Sequence, residues 1–281
     1  MNIQEIIDES SNFLRGKGIK SSSLDSEILL ARVLKKSRKY VIVNQKKNLS
    51  DSKIEDYKKL IYKRSKGEPI AYLIKKKYFW NHDFFVTKNV LIPRPDTELI
   101  ISEVLKLTKH KKNLSILDIG VGTGCILLTL LKEKTGFRGT GIDISKKCID
   151  TSKINAKKLK ILGKVKLIKT NVDNFIQGKY DIIISNPPYI KKHLINYLEK
   201  DIVSFEPRSA LDGGLDGLSE INRVINATSK LIKKNGKLIL EIAFDQTRLV
   251  KNLLIKNGFF INRVLKDYSN NDRCIISTKI D

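Results

Sequence analysis

The sequence has few cysteines, few histidines and no long apolar run. The three cysteines, Cys125, Cys148 and Cys274, are an odd number at wide spacing, which argues against a disulfide framework and a zinc cluster. The three histidines show no metal-ligand spacing either, so we expect no metal site. No apolar run approaches the roughly 18 residues that a membrane helix needs, and the first residues lack the basic-then-apolar order of a signal peptide. These absences predict a cytoplasmic protein without a membrane partner.

Acidic residues are scarce beside basic ones, and the formal net charge is +24. So basic a chain favours a nucleic-acid or ribosomal partner. However, residues 1–92 hold only 20 of the 54 basic side chains, so the excess charge is spread along the chain. Only 11 of the 54 are arginine, the residue favoured for bidentate phosphate and base contacts. We therefore attribute the charge to lysine enrichment from an AT-rich genome, and we expect no stable nucleic-acid partner.

Residues 1–68 have the pattern of a small helical domain. Apolar residues recur at helical spacing after Ile3 and again after Ser23, and Ser50 can cap a third helix that stops near Gly67. The residues expected on the buried faces are Ile3, Ile6, Ile7, Phe13 and Leu14 in the first helix, Leu24, Ile28, Ala31 and Leu34 in the second, and Ile54, Tyr57, Leu60, Ile61 and Arg64 in the third.

Residues 69–92 differ in pattern from the helices before them. From Ala71 to Val86, aromatic and β-branched residues surround the polar break Asn81-His82-Asp83, which is typical of a β-hairpin. We interpret residues 69–92 as a β-hairpin connector and residues 93–281 as a second, larger domain.

The larger domain alternates short apolar strands with helices. This order predicts right-handed βαβ units and an α/β fold with a mainly parallel sheet covered on both faces. The segment between the last two strands is too short for a helical crossover, so we expect these strands to pair antiparallel. The candidate strands are Ser115 to Asp118, Thr140 to Asp143, Val165 to Lys169, Asp181 to Ser185, Lys237 to Ile242, Phe260 to Leu265 and Cys274 to Lys279.

A glycine loop joins the first of these strands to an apolar helix. Glycines let the backbone turn tightly and let a ligand approach the main chain. The loop contains Gly120, Gly122 and Gly124, and its G-x-G-x-G spacing differs from the G-x-G-x-x-G that seats a dinucleotide pyrophosphate. The spacing therefore favours an adenosyl ligand without phosphates.

Asp143 ends the second strand and supports the same ligand class. Its carboxylate can accept hydrogen bonds from both hydroxyls of a ribose, as an acid does at this position in nucleotide-binding folds. The alternative is a structural role, in which Asp143 caps the next helix near Ser145.

A rigid corner, Asn186-Pro187-Pro188-Tyr189, follows the fourth strand of the sheet. Ligands of open α/β sheets bind beyond the carboxyl ends of the strands, so the corner and the glycine loop should share one crevice. The two prolines fix φ and remove two backbone donors, which leaves carbonyl acceptors. The Asn186 side-chain oxygen and the Pro187 carbonyl can accept both N–H bonds of a planar amino group, and Tyr189 can lie against its flat face. This pattern predicts methylation of an amino or amide nitrogen, driven by positioning.

In several longer motifs the sequence resembles the peptide chain release factor glutamine methyltransferases of the PrmC/HemK type. The similarity covers nearly the whole chain. Besides the glycine loop and the proline corner, it rests on residues 67–72 (GEPIAY), 91–98 (LIPRPDTE), 205–207 (FEP) and 210–214 (ALDGG).

The resemblance implies an S-adenosylmethionine-dependent enzyme that methylates the glutamine of the Gly-Gly-Gln motif in class-1 release factors. The implied fold is a Rossmann-like class I methyltransferase domain with a seven-stranded sheet and an antiparallel last strand. A helical domain that grips the release factor and a β-hairpin connector would precede it. The implied cofactor contacts are Gly120, Val121, Gly122, Thr123, Gly124, Asp143, Val172 and Asn186. The glutamine would be held by Asn186, Pro187, Pro188 and Tyr189, of which Asn186, Pro187 and Tyr189 are the expected catalytic residues.

Two other functions compete with this one. A DNA or RNA amino-group methyltransferase would use the same corner on a base flipped out of its stack, and the basic charge suits it. No target-recognition domain is recognisable in the sequence, however. A non-catalytic adenosyl-binding or ribosome-associated protein would not need the Asn186 to Tyr189 corner. We expect a monomer that acts on class-1 release factors.

Overall fold

The computed structural model describes residues 1–280, which form two compact units. The helical unit comprises Met1–Lys76 together with Glu199–Phe205, and the sheet unit comprises the remaining described residues. The division therefore differs from the expected boundary after residue 68, because a further short helix belongs to the helical unit.

The helical unit contains two more helices within residues 1–76 than the pattern indicated. Its main helices are α1 (Ile3–Gly16), α2 (Ser22–Leu34), α3 (Arg38–Val43), α4 (Asp51–Ser65) and α5 (Ile70–Ile74). Asn2 caps α1 through a reciprocal pair of hydrogen bonds with Glu5. Helix α3, capped by Ser37, was not predicted.

The buried face of α2 is rotated from the predicted one. Leu24 is exposed, whereas Leu29 and Leu30 are fully buried. The rotation has a polar cause, because Asp25 turns inward and accepts a 2.7 Å hydrogen bond from Arg64 of α4. A similar error concerns Phe13 of α1, which is exposed beside a face formed by the buried isoleucines and Leu14.

The expected hairpin is present but shorter than predicted. Strands β1 (Lys77–Phe79) and β2 (His82–Phe84) pair antiparallel. The turn is made by Trp80 and Asn81, with Trp80 at positive φ, so two residues of the predicted polar break lie in β2. The start of the predicted β segment is wrong, since Ala71 lies in α5, which follows Pro69 and ends at Lys75 in left-handed conformation.

The sheet unit has the predicted seven-stranded, mainly parallel sheet. Its order is β5-β4-β3-β6-β7-β9-β8, in which β9 runs antiparallel to both of its neighbours. Alternate residues of each central strand face opposite sides, so Ile116 and Leu117 of β3 belong to separate cores. The strands are β3 (Ser115–Ile119), β4 (Arg138–Asp143), β5 (Val165–Lys169), β6 (Tyr180–Ser185), β7 (Ile232–Glu241), β8 (Phe259–Lys266) and β9 (Asp272–Lys279).

Helices cover both faces of the sheet. Those of the sheet unit are α6 (Glu98–Leu107), α7 (Cys125–Glu133), α8 (Lys146–Lys158), α10 (Ser219–Leu231) and α11 (Thr247–Lys256). Helix α9 (Lys200–Phe205) belongs to the helical unit. From β3 the chain proceeds to β4 on one side, and β6 lies on the other side. This reversal opens a crevice at the carboxyl ends of β3 and β6. None of the helices within residues 1–280 has both the length and the apolar character that a membrane crossing requires.

Candidate active site

A cleft of about 970 Å³ lies beyond the carboxyl ends of the parallel strands. It brings together most of the site residues predicted from the sequence, namely Gly120, Gly122, Asp143, Val172, Asn186, Pro187 and Pro188. The shared crevice expected for the glycine loop and the proline corner is therefore present.

The glycines of the loop serve different purposes. Gly120 and Gly122 line the cleft at positive φ, and a Cβ on Gly120 would point into open space. Gly124 does not line it. A Cβ there would lie 2.7 Å from the side chain of Leu128 in the first turns of α7, so this glycine leaves room for that side chain. Val121 and Thr123 are buried beneath the loop and do not line the cleft.

Asp143 braces the glycine loop and also faces the cleft. Its carboxylate accepts hydrogen bonds from the backbone N–H of Gly122 at 3.0 Å and of Ser145 at 2.8 Å. Burial raises the pKa of Asp143, and these two backbone hydrogen bonds oppose that shift. A carboxylate has about four acceptor positions, and the Cys148 thiol also interacts with Asp143, so only part of its acceptor capacity remains. The structural role near Ser145 is thus present and leaves capacity for a ligand.

The rim beside Val172 is held by a cluster of charged residues. Arg223 of α10 donates to the side-chain oxygen of Asn171 at 2.8 Å and to Asp173 and Glu220. Asn171, Val172, Glu220 and Arg223 all line the cleft.

Hydrogen bonds hold both the first residue of the proline corner and the strand residue before it. The hydroxyl of Ser185, the last residue of β6, donates to the Ile119 carbonyl of β3 at 2.7 Å. Asn186 follows, and its side-chain NH2 donates to the Thr97 hydroxyl at 3.3 Å. The Asn186 oxygen remains as an acceptor on a residue that lines the cleft.

Tyr189 is placed differently from its prediction. Its ring packs against the core around β7, and its hydroxyl donates to Glu241 at 3.3 Å. Within the part of the chain that the structure describes, Tyr189 does not line the cleft. Glu241 also accepts a 2.8 Å hydrogen bond from Thr97, so Asn186 and Tyr189 are joined beneath the corner.

Two segments that lie far apart in the sequence contact each other beside the cleft. Glu206 accepts a hydrogen bond from Arg94 at 2.6 Å and from the Ile92 backbone N–H at 3.2 Å. The Glu206 side chain is buried, and its two hydrogen bonds fix residues 92–94 in place beside it. Pro207 and Ala210 then line the cleft.

Asp118, near the end of β3, is a buried acid beneath the glycine loop. Neither of its oxygens has a hydrogen-bond partner at ordinary distance within residues 1–280. Burial raises the pKa of Asp118 to about 7, the backbone of Leu127 partly offsets this effect, and the charge of Asp143 adds to it.

Several cleft residues were not predicted from the sequence. Thr97 and Glu241 are among the buried contacts of the corner, while Asn89, Leu91, Cys148, Thr170 and Arg223 line the cleft itself. The sequence did contain a signal for Glu241. It is an acid at the end of an apolar strand, and such an acid is rarely buried without a role. The described residues contain no group of three or more His, Cys, Asp or Glu side chains arranged to hold a metal ion.

Two family models match the chain. The PrmC N-terminal domain matches residues 5–74, and the methyltransferase small domain matches residues 95–214.

Relatives and solved structures agree with these matches. The release factor glutamine methyltransferase of Buchnera aphidicola subsp. Schizaphis graminum is 40% identical over 91% of this chain and 92% of its own length. The bifunctional methyltransferase of Rickettsia felis is 33% identical over all of this chain, which spans only 58% of that longer protein. A methyltransferase structure from Pyrococcus furiosus superimposes with a TM-score of 0.54 at 17% identity, over 81% of this chain and all of that one, which shows a shared fold.

Proposed function

Because the chain belongs to the release factor glutamine methyltransferase family, we propose that it methylates class-1 peptide chain release factors. The acceptor is the side-chain amide nitrogen of the glutamine in their Gly-Gly-Gln motif, and the donor is S-adenosylmethionine. The observation that carries the proposal is the Asn186 corner, which offers side-chain and backbone oxygens in the same cleft as the glycine loop.

The lining of the cleft fits an adenosyl cofactor. Gly120 leaves open space beside the backbone, where any larger residue would project a side chain. Asp143 keeps acceptor capacity after bracing the loop, as binding of ribose hydroxyls requires. Val172 supplies an apolar surface on the rim. When bound, the cofactor supplies an electrophilic methyl group.

The corner residues hold the glutamine amide. The Asn186 side-chain oxygen and the Pro187 carbonyl each accept one N–H of the amide group. This arrangement directs the nitrogen lone pair out of the hydrogen-bonded plane and stabilises positive charge as it develops on nitrogen. Fixing the amide in one orientation contributes the larger share of the acceleration, because an amide nitrogen is a poor nucleophile.

The helical unit is the proposed release-factor-binding part of the chain. It includes Met1–Lys76, and the matched PrmC N-terminal domain falls within this range. Tyr189 supports the corner from below by its bond to Glu241, in place of the expected stacking on the amide.

A labelling experiment tests the proposal. The purified chain is incubated with S-adenosylmethionine labelled in its methyl group and with one of three acceptors: a class-1 release factor, the same factor with the Gly-Gly-Gln glutamine changed to alanine, or DNA. We expect label on the glutamine of the unmodified factor, located by peptide mass spectrometry, and none on the variant. Label only in DNA would favour the nucleic-acid methyltransferase and overturn the proposal, as would equal labelling of both factors.

A further inference from the structure

We infer that Thr97 and Glu241 are positioning residues that determine which atom of the Asn186 side chain faces the substrate amide. The inference rests on the proposed function and concerns two residues that lie outside the proline corner. Thr97 precedes α6 and Glu241 ends β7, so the fold joins positions 144 residues apart.

The three side chains form a continuous hydrogen-bonded series. The Asn186 NH2 donates to Thr97 Oγ1 at 3.3 Å, and the Thr97 hydroxyl donates to Glu241 Oε2 at 2.8 Å. Thr97 is 3% exposed and Glu241 is 2% exposed. Because water has so little access, these side chains depend on one another for hydrogen bonds.

The direction of the series follows from counting protons. A threonine hydroxyl has one proton, and Thr97 gives it to Glu241. Only lone pairs remain on Thr97, and only the NH2 group of Asn186 can bond to a lone pair. The Asn186 oxygen must therefore point away from Thr97, where it can accept from a substrate.

The carboxylate of Glu241 sets this direction because an ionised carboxylate only accepts hydrogen bonds. Its second oxygen accepts from Tyr189, and the positive charge of Arg273 lies near enough to favour the ionised form. Asp96, Cys125 and Cys274 are the other titratable groups that interact with it.

Protonation of Glu241 near neutral pH should reverse the donor-to-acceptor direction of this hydrogen-bonded series. Burial raises the pKa of Glu241 to about 7, while the bond from Thr97 and the charge of Arg273 oppose the shift. Below this pH a protonated Glu241 can donate to Thr97. Thr97 can then donate to the Asn186 oxygen, which turns the Asn186 NH2 toward the substrate.

The orientation matters because the substrate group is itself an NH2. It has two N–H bonds to donate, and the corner offers two acceptors, the Asn186 oxygen and the Pro187 carbonyl. A reversed Asn186 would place one NH2 against another and remove one of the two acceptors. The loss should fall on kcat.

The first test removes the Thr97 hydroxyl. Thr97→Val keeps the shape, and we expect kcat for release-factor methylation to fall by about tenfold to a hundredfold, as for loss of a charge-assisted hydrogen bond. Thr97→Ser keeps the hydroxyl and should restore most of this loss. Thr129→Val is the matched control, because Thr129 is equally buried on α7 and its hydroxyl has no partner within residues 1–280. Equal kcat in Thr97→Val and Thr129→Val would overturn the inference.

The second test uses pH. The wild-type kcat should rise about tenfold between pH 6 and pH 8 as Glu241 ionises. Glu241→Gln can donate to Thr97 at any pH, so its kcat should be low and flat across this range. A Glu241→Gln profile that keeps the wild-type rise would contradict the inference.

The third readout does not depend on turnover. In NMR spectra of the cofactor-free protein at pH 8, the Asn186 NH2 protons should show a nuclear Overhauser effect to the Thr97 methyl group, and Glu241→Gln should weaken it. An unchanged effect would exclude the positioning role even if the enzyme is active. If instead the wild type leaves the release factor unmethylated, the proposed function fails and the spectra alone decide the inference.

Discussion

Asp181 at one end of the seven-stranded sheet and three buried acids at the other end have opposite pKa shifts. At the amino ends of the strands, a groove of about 530 Å³ contains Asp181 among several lysines. Asp181 accepts from the backbone N–H and the hydroxyl of Ser115 and from Lys233. Although partial burial favours its neutral form, the bonds from Lys233 and Ser115 hold the pKa of Asp181 below its usual value.

Three buried acids at the carboxyl ends show the opposite shift. Burial raises the pKa of Asp118, Asp143 and Glu241, and no lysine offsets it among the interactions that shift them. Paired acids such as Asp181 stabilise a fold, whereas buried acids with few partners cost stability. The chain thus tolerates three costly carboxyl groups beside the cleft. Perturbed acids beside a cleft are typical of a functional site.

The largest predicted difference in activity between variants at the two ends of the sheet comes from substitution of Asn186. Asn186→Ala removes the side-chain acceptor of the corner that lines the cleft, and we expect kcat to fall by at least about a hundredfold, as when an enzyme loses one donor or acceptor to its transition state. Lys111→Ala, in the groove at the amino ends, is the matched control and should leave kcat unchanged. Steady-state methylation assays measure both. Near-normal turnover by Asn186→Ala would refute the role of the corner.

The next effect concerns stability and its dependence on pH. Since the pKa of Asp118 is raised from 3.8 to about 7, the folded state binds a proton between these values that the unfolded state does not. The free energy of unfolding should therefore fall as pH rises from about 4 to 7, by roughly 4 kcal/mol at about 1.4 kcal/mol for each of the roughly three pKa units. Asp118→Asn should make this slope shallower, leaving the part due to Glu241 and Asp143, and should be more stable than the wild type at pH 8.

Urea unfolding at pH 5.5 and pH 8 measures the effect. Asp181→Asn provides the opposite control, because a lowered pKa gives stability that is present above the unfolded value and lost as pH falls. It should be less stable than the wild type at pH 8. If both variants change stability in the same direction at pH 8, the contrast between the two ends of the sheet is wrong.

Local sequence pattern predicted the sheet better than the helical unit. Strands such as β3 and β6 are short apolar runs between turns, and their burial on both faces leaves little ambiguity. The buried face of α2 was misjudged because Asp25 pairs with Arg64 from α4, a contact that pattern alone does not contain. Helix α5 was mistaken for a strand, since five residues are too few to show a helical period.

The same distinction applies to the site. Gly120, Asp143 and Asn186 were predicted because each ends or follows a strand, and the fold places strand ends together. Thr97 and Glu241 could not be paired from the sequence, because their contact exists only after the sheet and α6 have assembled.

The smallest predicted effect is on cofactor binding, and it should distinguish Asp143 from Asp181. Asp143→Ala removes the acceptors proposed for the ribose, so we expect the dissociation constant for S-adenosylmethionine, measured by calorimetry, to rise about tenfold or more. Asp181→Ala removes an aspartate with as many partners and should leave that constant unchanged, with only a loss of stability. Asp143 also braces Gly122, so Asp143→Asn, which can still accept a hydrogen bond, should weaken binding less than Asp143→Ala. Equal dissociation constants in Asp143→Ala and Asp181→Ala would mean that the carboxyl end binds its ligand without this acid, and the comparison would then rest on Asn186 alone.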